Sequence, residues 1–201
     1  MMHTLRLTVL LGATVLGFGQ EAMVQKSTIW MDTVKRGDMT RAARGLGVLV
    51  RNSNAEVSIP ATQAQQIRPG QPAQLDTGNG VVNGKVIRVV SAGANGMAKV
   101  DVQAEGTLPS GAVPGLNVDV MVQLEVLKDV IYVGRPAVGS PQSEGVLFKL
   151  AGDGQHATKV NVRYGRASVN TIEVLSGLQP GDQVILSDMS AFATKDRVRL
   201  Q

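Results

Sequence analysis

A chain of 201 residues that is 43% hydrophobic and only 18% charged is too apolar for disorder and long enough to bury one large core or two small ones. Aromatics make up 3% against 23 glycines, so the core must be built of Val, Leu and Ile in a turn-rich, mainly β fold. The net charge of +4 is scattered, with no basic run longer than Lys35-Arg36, and Phe18, Trp30, Tyr132, Phe148, Tyr164 and Phe192 make no periodic stacking platform. That pattern argues against a nucleic-acid partner, and a chain without cysteine has no disulfide, thiolate metal site or thiol nucleophile.

From the N-terminus, Leu7 to Gly19 is an uncharged apolar run. It is short of the ~20 residues a spanning helix needs and within the ~7–15 of a signal-peptide core. Gly17-Phe18-Gly19 before Gln20 offers a small-x-small cleavage site. The expectation for residues 1–27 is therefore an apolar helix serving as a signal peptide or short membrane anchor, with a buried N-terminal helix as the alternative. Thr28 to Lys35 reads as a strand, Arg36-Gly37-Asp38 as a turn, and Thr40 to Val50 as a second strand. An Arg-Gly-Asp triplet also occurs in adhesion sequences, but here glycine before aspartate is ordinary turn chemistry.

The junction that follows, "GLGVLVRNSNAEVSIP" over residues 45–60, sets two strand patterns only four residues apart. Asn52-Ser53-Asn54 is good turn material, so a hairpin is one reading. Beyond it, short strands are expected at Glu56–Ile59, Gln71–Thr77, Val81–Val90 and Lys99–Ala104, with a helical turn at Ala61–Ile67. Gly78-Asn79-Gly80 signals a hairpin, and Ser91–Gly96 another turn. Asn117 to Val126 alternates, with Val118, Val120, Val122, Leu124 and Val126 on one face of a half-buried antiparallel strand. Lys128-Asp129 marks a break and an expected domain boundary. Further strands are expected at Val130–Val138, Val146–Leu150, Thr158–Tyr164, Asn170–Leu175, Gln183–Ser187 and Arg197–Leu200, with a hairpin at Gly152-Asp153-Gly154. Short strands with frequent turn signals point to barrels or sandwiches.

Catalytic patterns are missing. The only histidines, His3 in the leader and His156 beside a turn, cannot make a facial metal site, and the carboxylates are spread singly. Ser143 and Ser168 lie in no nucleophile-elbow motif, and "GLGVLV" is no phosphate loop. Met97, Met121 and Met189 are isolated and read as core or rim. The sequence predicts no enzyme, no cofactor and no metal. What recurs is Pro-Gly ahead of a strand, at Pro69-Gly70, Pro114-Gly115 and Pro180-Gly181. There proline presets φ and glycine takes the left-handed position of the turn.

In combination and order these segments resemble the periplasmic adaptor subunits, or membrane fusion proteins, of bacterial efflux and secretion pumps. "TVKRGDMTR" (33–41, with Gly37) and "GLGVLV" resemble the passage from the membrane anchor into the lipoyl-like domain. "AEVSIPATQAQQIRPGQPAQL" (55–75) resembles the opening of the adaptor β-barrel, and "VPGLNVDVMVQLEV" (113–126) its closing strand. "IYVGRPAV" (131–138) and "GLQPGDQVILSD" (177–188) resemble the membrane-proximal domain. The resemblance implies leading strands and a truncated lipoyl-like junction over 28–54, a β-barrel domain over 55–127 and a smaller β membrane-proximal domain over 128–201. In the family, most of a lipoyl-like domain and a long α-helical hairpin separate the positions matching Val50 and Ala55, so the resemblance implies an internal deletion here.

The function implied is that of a non-enzymatic, homo-oligomeric periplasmic adaptor. It would associate with the inner membrane and dock on an efflux transporter of the ABC or RND type. Without the hairpin it would not bridge to the outer-membrane channel. Arg135, Arg163 and Arg166, charges of the membrane-proximal half, are the expected transporter contacts. The competing reading is a free-standing periplasmic β-barrel that binds a ligand or the cell wall, which would need a pocket lined by aromatics.

Overall fold

The computed structural model describes residues 21–90 and 96–201. The apolar run Leu7–Gly19 of the expected leader helix and most of the Ser91–Gly96 turn therefore lie outside the described residues. Residues 21–27, expected to belong to the leader, instead hold a strand at Ala22–Val24 paired with Val198–Leu200 and the start of a 3-10 turn. In chain order the strands are β1 (Ala22–Val24), β2 (Met31–Thr33), β3 (Lys35–Leu49), β4 (Asn54–Pro60), β5 (Pro72–Asp76), β6 (Val81–Val90), β7 (Met97–Ala104) and β8 (Asn117–Gly134). They continue with β9 (Glu144–Leu150), β10 (His156–Ala167), β11 (Thr171–Ser176), β12 (Gln183–Ile185) and β13 (Arg197–Leu200). One short helix, α1 (Ala61–Ala64), follows β4. The chain is mainly β.

Six of the strands close on themselves. β3 pairs with β4, β4 with β7, β7 with β6, β6 with β5, β5 with β8 and β8 with β3, every pair antiparallel. A closed cycle leaves its members no free edges where it is complete. Alternate residues point inward, and Val57, Ile59, Leu75, Val86, Val100, Val102, Val118, Val120 and Val122 make its buried core with Ile67. Each such side chain contributes about 1.5–3 kcal/mol relative to staying in water. Three inward-facing glycines let the small ring close. A Cβ on Gly45 would sit 2.5 Å from the Ser58 carbonyl, one on Gly47 2.8 Å from that of Glu56, and one on Gly84 2.6 Å from Leu75 Cδ1. Glycine marks places where backbones must approach closely.

The junction after Leu49 is a hairpin. Leu46 pairs with Ser58, Gly47 with Val57, Val48 with Glu56 and Leu49 with Ala55. A single 3-10 turn at Arg51–Ser53 reverses the chain, Ser53 taking φ +58°, and the Val50 amide donates to the Asn54 carbonyl at 2.7 Å. The two segments are hydrogen-bonded neighbours, with no further element between them.

The second half is a sheet in the order β8, β11, β10, β9, β12, β2, with β13 on the N-terminal end of β10 and β1 parallel to β13. Its apolar side chains form two clusters, one around Tyr164, Ile172, Val184 and Leu186, the other around Phe148, Ala157, Ile185 and Val198. β3 and β8 serve both halves. Their pairing runs from Lys35 opposite Tyr132 to Val48 opposite Asn117, interrupted by register shifts after Gly37 and after Arg41.

Those shifts explain two of the sequence expectations that fail. Arg36-Gly37-Asp38 is no turn but part of β3, and Lys128-Asp129 does not break β8. Both fall at the first irregularity, which one long strand pair absorbs as a bulge. Asp129 takes φ +49° there, Arg36 Nη2 reaches its carboxylate at 2.6 Å, and Lys128 Nζ reaches Asp38 at 2.6 Å. After the second shift, the buried face of β8 changes from Val118, Val120 and Val122 to Leu127, leaving Leu124 and Val126 half-buried. The strand expected over Thr28–Lys35 is a 3-10 turn at Lys26–Thr28 followed by β2, and the strand after Lys128 ends at Gly134 rather than Val138.

The three Pro-Gly pairs form the same turn. The amides of Gln71, Leu116 and Asp182 donate to the carbonyls of Arg68, Val113 and Gln179, three residues back. Gly70, Gly115 and Gly181 take φ of +93°, +95° and +94°. A type II turn requires this conformation of its third residue. Each turn delivers the chain into β5, β8 or β12.

Candidate functional site

The two halves meet around the middle of the β3–β8 pair, and charged side chains converge there. Arg41, on β3 just before the second register shift, pairs with Glu125 across the strand pair, its side chain only 13% exposed. Glu125 also accepts from Arg166 Nη1 at 3.0 Å, and Arg166 Nε lies 3.7 Å from Glu173. The connection between β10 and β11 is drawn onto β3 by two further bonds. Arg41 Nε donates to the Ala167 carbonyl at 3.1 Å, and the Ala42 amide donates to Ser168 Oγ at 3.0 Å. Arg41 Nη2 reaches Gln66 Oε1, after α1, at 3.3 Å. Thus one guanidinium holds the ring, the segment after its helix and the second half together.

Of the three arginines expected as contacts, two arrive here. Arg166 is ion-paired as above. Arg135 donates from its backbone to the Asn170 carbonyl at 2.9 Å and from Nη1 to the Ser168 carbonyl at 3.1 Å. Arg163 stands apart, exposed on β10 opposite Glu144 and Ser176. Sequence reading missed Arg41, Glu125 and Ser168. Glu125 sits in the outward phase of an alternating strand, where a charge is unremarkable, and its partners lie 84 and 41 residues away.

Beside this network a cavity of about 350 Å³ opens, lined by Arg41, Arg44, Arg135, Gln63, Gln66 and Ser168 among others. Arg44 is held by Asp119, which raises the guanidinium pKa and holds the Asp119 carboxyl below its usual range through their hydrogen bonds. A second cavity, about 240 Å³, lies in the other half between Pro136, Val146, Phe148, Ile185 and Met189 and is largely apolar. Among the described residues no three His, Asp or Glu side chains gather as a metal site would require.

Two further side chains have unusual surroundings. His156 opens β10 just after the turn, its side chain 18% exposed, with Nδ1 2.6 Å from Asp153 and Nε2 3.5 Å from Glu21. The His156 hydrogen bond, followed by that of the Gln155 amide, holds the Asp153 carboxyl down at about 2. Because the folded pKa lies below the ordinary 3.8, the stabilisation is complete above about pH 4 and is lost as pH falls through about 2. The Gln155 and His156 amide resonances are accordingly expected to titrate with a midpoint near 2; a midpoint near 3.8 would refute the arrangement.

Tyr164 is the other. Its ring is buried against Gly139 and Gly145, and its Oη has no hydrogen-bond partner among the described residues. Burial pushes the phenol up to about 12. An unpartnered buried hydroxyl costs about 1–3 kcal/mol, so Tyr164→Phe is expected to raise stability by about 1 kcal/mol in urea unfolding. A loss of stability would show that the hydroxyl has a partner.

No protein-family model matches the chain, and no curated protein matches it. Among solved structures it is similar to ZneB from Cupriavidus metallidurans, at 21% identity and a TM-score of 0.32. The match covers 68% of this chain and 41% of the ZneB chain. A score that low carries no inference about architecture or role.

Proposed function

We propose that the chain is a periplasmic, inner-membrane-associated adaptor of an efflux transporter, of the ABC or RND type, that docks without bridging to the outer-membrane channel. The observation that carries the reading is the ring whose first and last strands run on into the second β half. The ring holds the segments that resemble adaptor barrel sequences and the second half those that resemble membrane-proximal sequences, in their adaptor order. In this reading the ring is the adaptor β-barrel and the second half its membrane-proximal domain, divided near Lys128. The three-residue turn at Arg51–Ser53 supports the lack of a bridge, since it stands where adaptors carry the element that reaches the channel. Homo-oligomer formation belongs to the same reading. Exposed apolar side chains on the outer wall of the ring support it: Leu46 (72% exposed) with Val48 on β3, Met121 on β8 and Val81 (60% exposed) on β6.

An adaptor that docks but cannot bridge should act as a competitor. Overproduced in cells that carry an intact tripartite pump built on the same transporter, the chain is expected to lower export of the pump's substrate. Unchanged export at a level of chain exceeding the intact adaptor would overturn the docking role. Restored export in cells with this chain as sole adaptor would overturn the lack of a bridge.

A further inference from the structure

We infer that the cavity between the two halves is a binding site for a phosphate-type oxyanion, with Arg135 as its principal ligand. The cavity lining includes three arginines and no carboxylate. The two carboxylates nearest in the ion-pair network, Glu125 and Asp119, hold Arg41 and Arg44 from outside that lining. Arg135 differs from both: it is exposed and has no ion-pair partner among the described residues, and only Nη1 is engaged, by the Ser168 carbonyl. Its Nε and Nη2 donors remain available, and the bond to Ser168 fixes the guanidinium without neutralising it.

Further donors line the same space. Arg44 engages Asp119 through Nε and Nη2, which leaves Nη1. Gln66 accepts from Arg41 through Oε1, which leaves its NH₂ group to donate, and Gln63 lines the cavity beside it. Donors arriving from β3, from the segment around α1 and from the end of β8 suit a tetrahedral oxyanion, which accepts from several directions. A guanidinium fork matches two of its oxygens at once. A volume of about 350 Å³ admits the anion together with part of whatever carries it. The same chemistry is offered by a free phosphate and by a phospholipid headgroup.

The test uses the purified full chain, titrated with inorganic phosphate at low ionic strength and followed by thermal shift and phosphorus NMR line width. Saturable binding is expected, weakened about tenfold by Arg135→Gln, the change that loss of a charged hydrogen bond implies. Lys99→Gln, at an exposed lysine on β7, should leave it unchanged. Co-sedimentation with phosphatidylcholine vesicles, with and without phosphatidylglycerol, separates the sources. Retention that depends on phosphatidylglycerol, is lost in Arg135→Gln and is competed by phosphate assigns a headgroup. Saturable phosphate binding with no preference between vesicles assigns a soluble oxyanion. Absence of saturable phosphate binding, or binding undiminished by Arg135→Gln in a variant that melts like the parent, overturns the site.

Discussion

Gly45→Val is expected to destabilise the protein by about 3 kcal/mol or more, because the new side chain has nowhere to go. Its Cβ alone would stand 2.5 Å from the Ser58 carbonyl and 2.7 Å from Ile59 Cγ1, the first of which is backbone and cannot rotate away. Relief requires β4 to separate from β3 at the end of their pairing farthest from the turn, beside the Leu46–Ser58 pair, and that opens the ring. Against a domain stability of roughly 5–15 kcal/mol, a loss of this size populates unfolded chain visibly. The urea midpoint of Gly45→Val measures it, with Gly70→Ala as the comparison. Gly70 has open space around its Cα and only its φ of +93° to defend, so alanine there is expected to cost about 1–2 kcal/mol. Equal losses at the two positions would mean that β3 and β4 do not approach as closely as described.

The second large effect is expected at the ion-pair network. Glu125→Ala leaves Arg41, nearly buried, without its carboxylate and frees Arg166 as well. Removing one partner of a fully buried pair costs about 3–5 kcal/mol; Glu125 is 37% exposed, so the expected loss is about 2 kcal/mol. A double-mutant cycle with Arg41→Met is expected to give a coupling of about 1–2 kcal/mol. The same cycle on Arg36 and Asp129, whose side chains are 60% and 67% exposed, should give a distinctly smaller coupling, because solvent screens an exposed pair. A coupling at Arg41–Glu125 no larger than that would mean the junction is not held by this pair. Amide exchange in the Ala167–Asn170 connection should quicken in Glu125→Ala, since Arg41 also anchors the Ala167 carbonyl.

Local chemistry made much of this fold legible. β6 begins and ends where alternation and the Gly78-Asn79-Gly80 signal place it, and β13 spans the expected residues. The Pro-Gly turns follow from the dihedral preferences of two residues, with no need of tertiary context. Sequence reading failed where the β3–β8 pair has bulges. There Arg36-Gly37-Asp38 and Lys128-Asp129 carry turn-like composition, but cross-strand hydrogen bonds and two ion pairs keep the two strands paired across the bulge. β1 was not anticipated because its stability comes from parallel pairing with β13, at the other end of the chain. The junction network was illegible for the same reason. Arg41, Glu125, Arg166 and Ser168 are unremarkable within their own segments and acquire meaning only from contacts across 41 to 126 residues. Arg135 could be singled out as a charge of the second half, but not as one without a counter-ion among the described residues.

Recovery of partners from the native membrane tests the central claim most directly. The tagged chain, expressed beside a candidate transporter and its outer-membrane channel, is purified from gently solubilised membranes and its companions are identified. The expected result is the inner-membrane transporter without the channel. Recovery of neither from folded, exported chain would contradict the adaptor reading, and recovery of both would contradict the absence of a bridge.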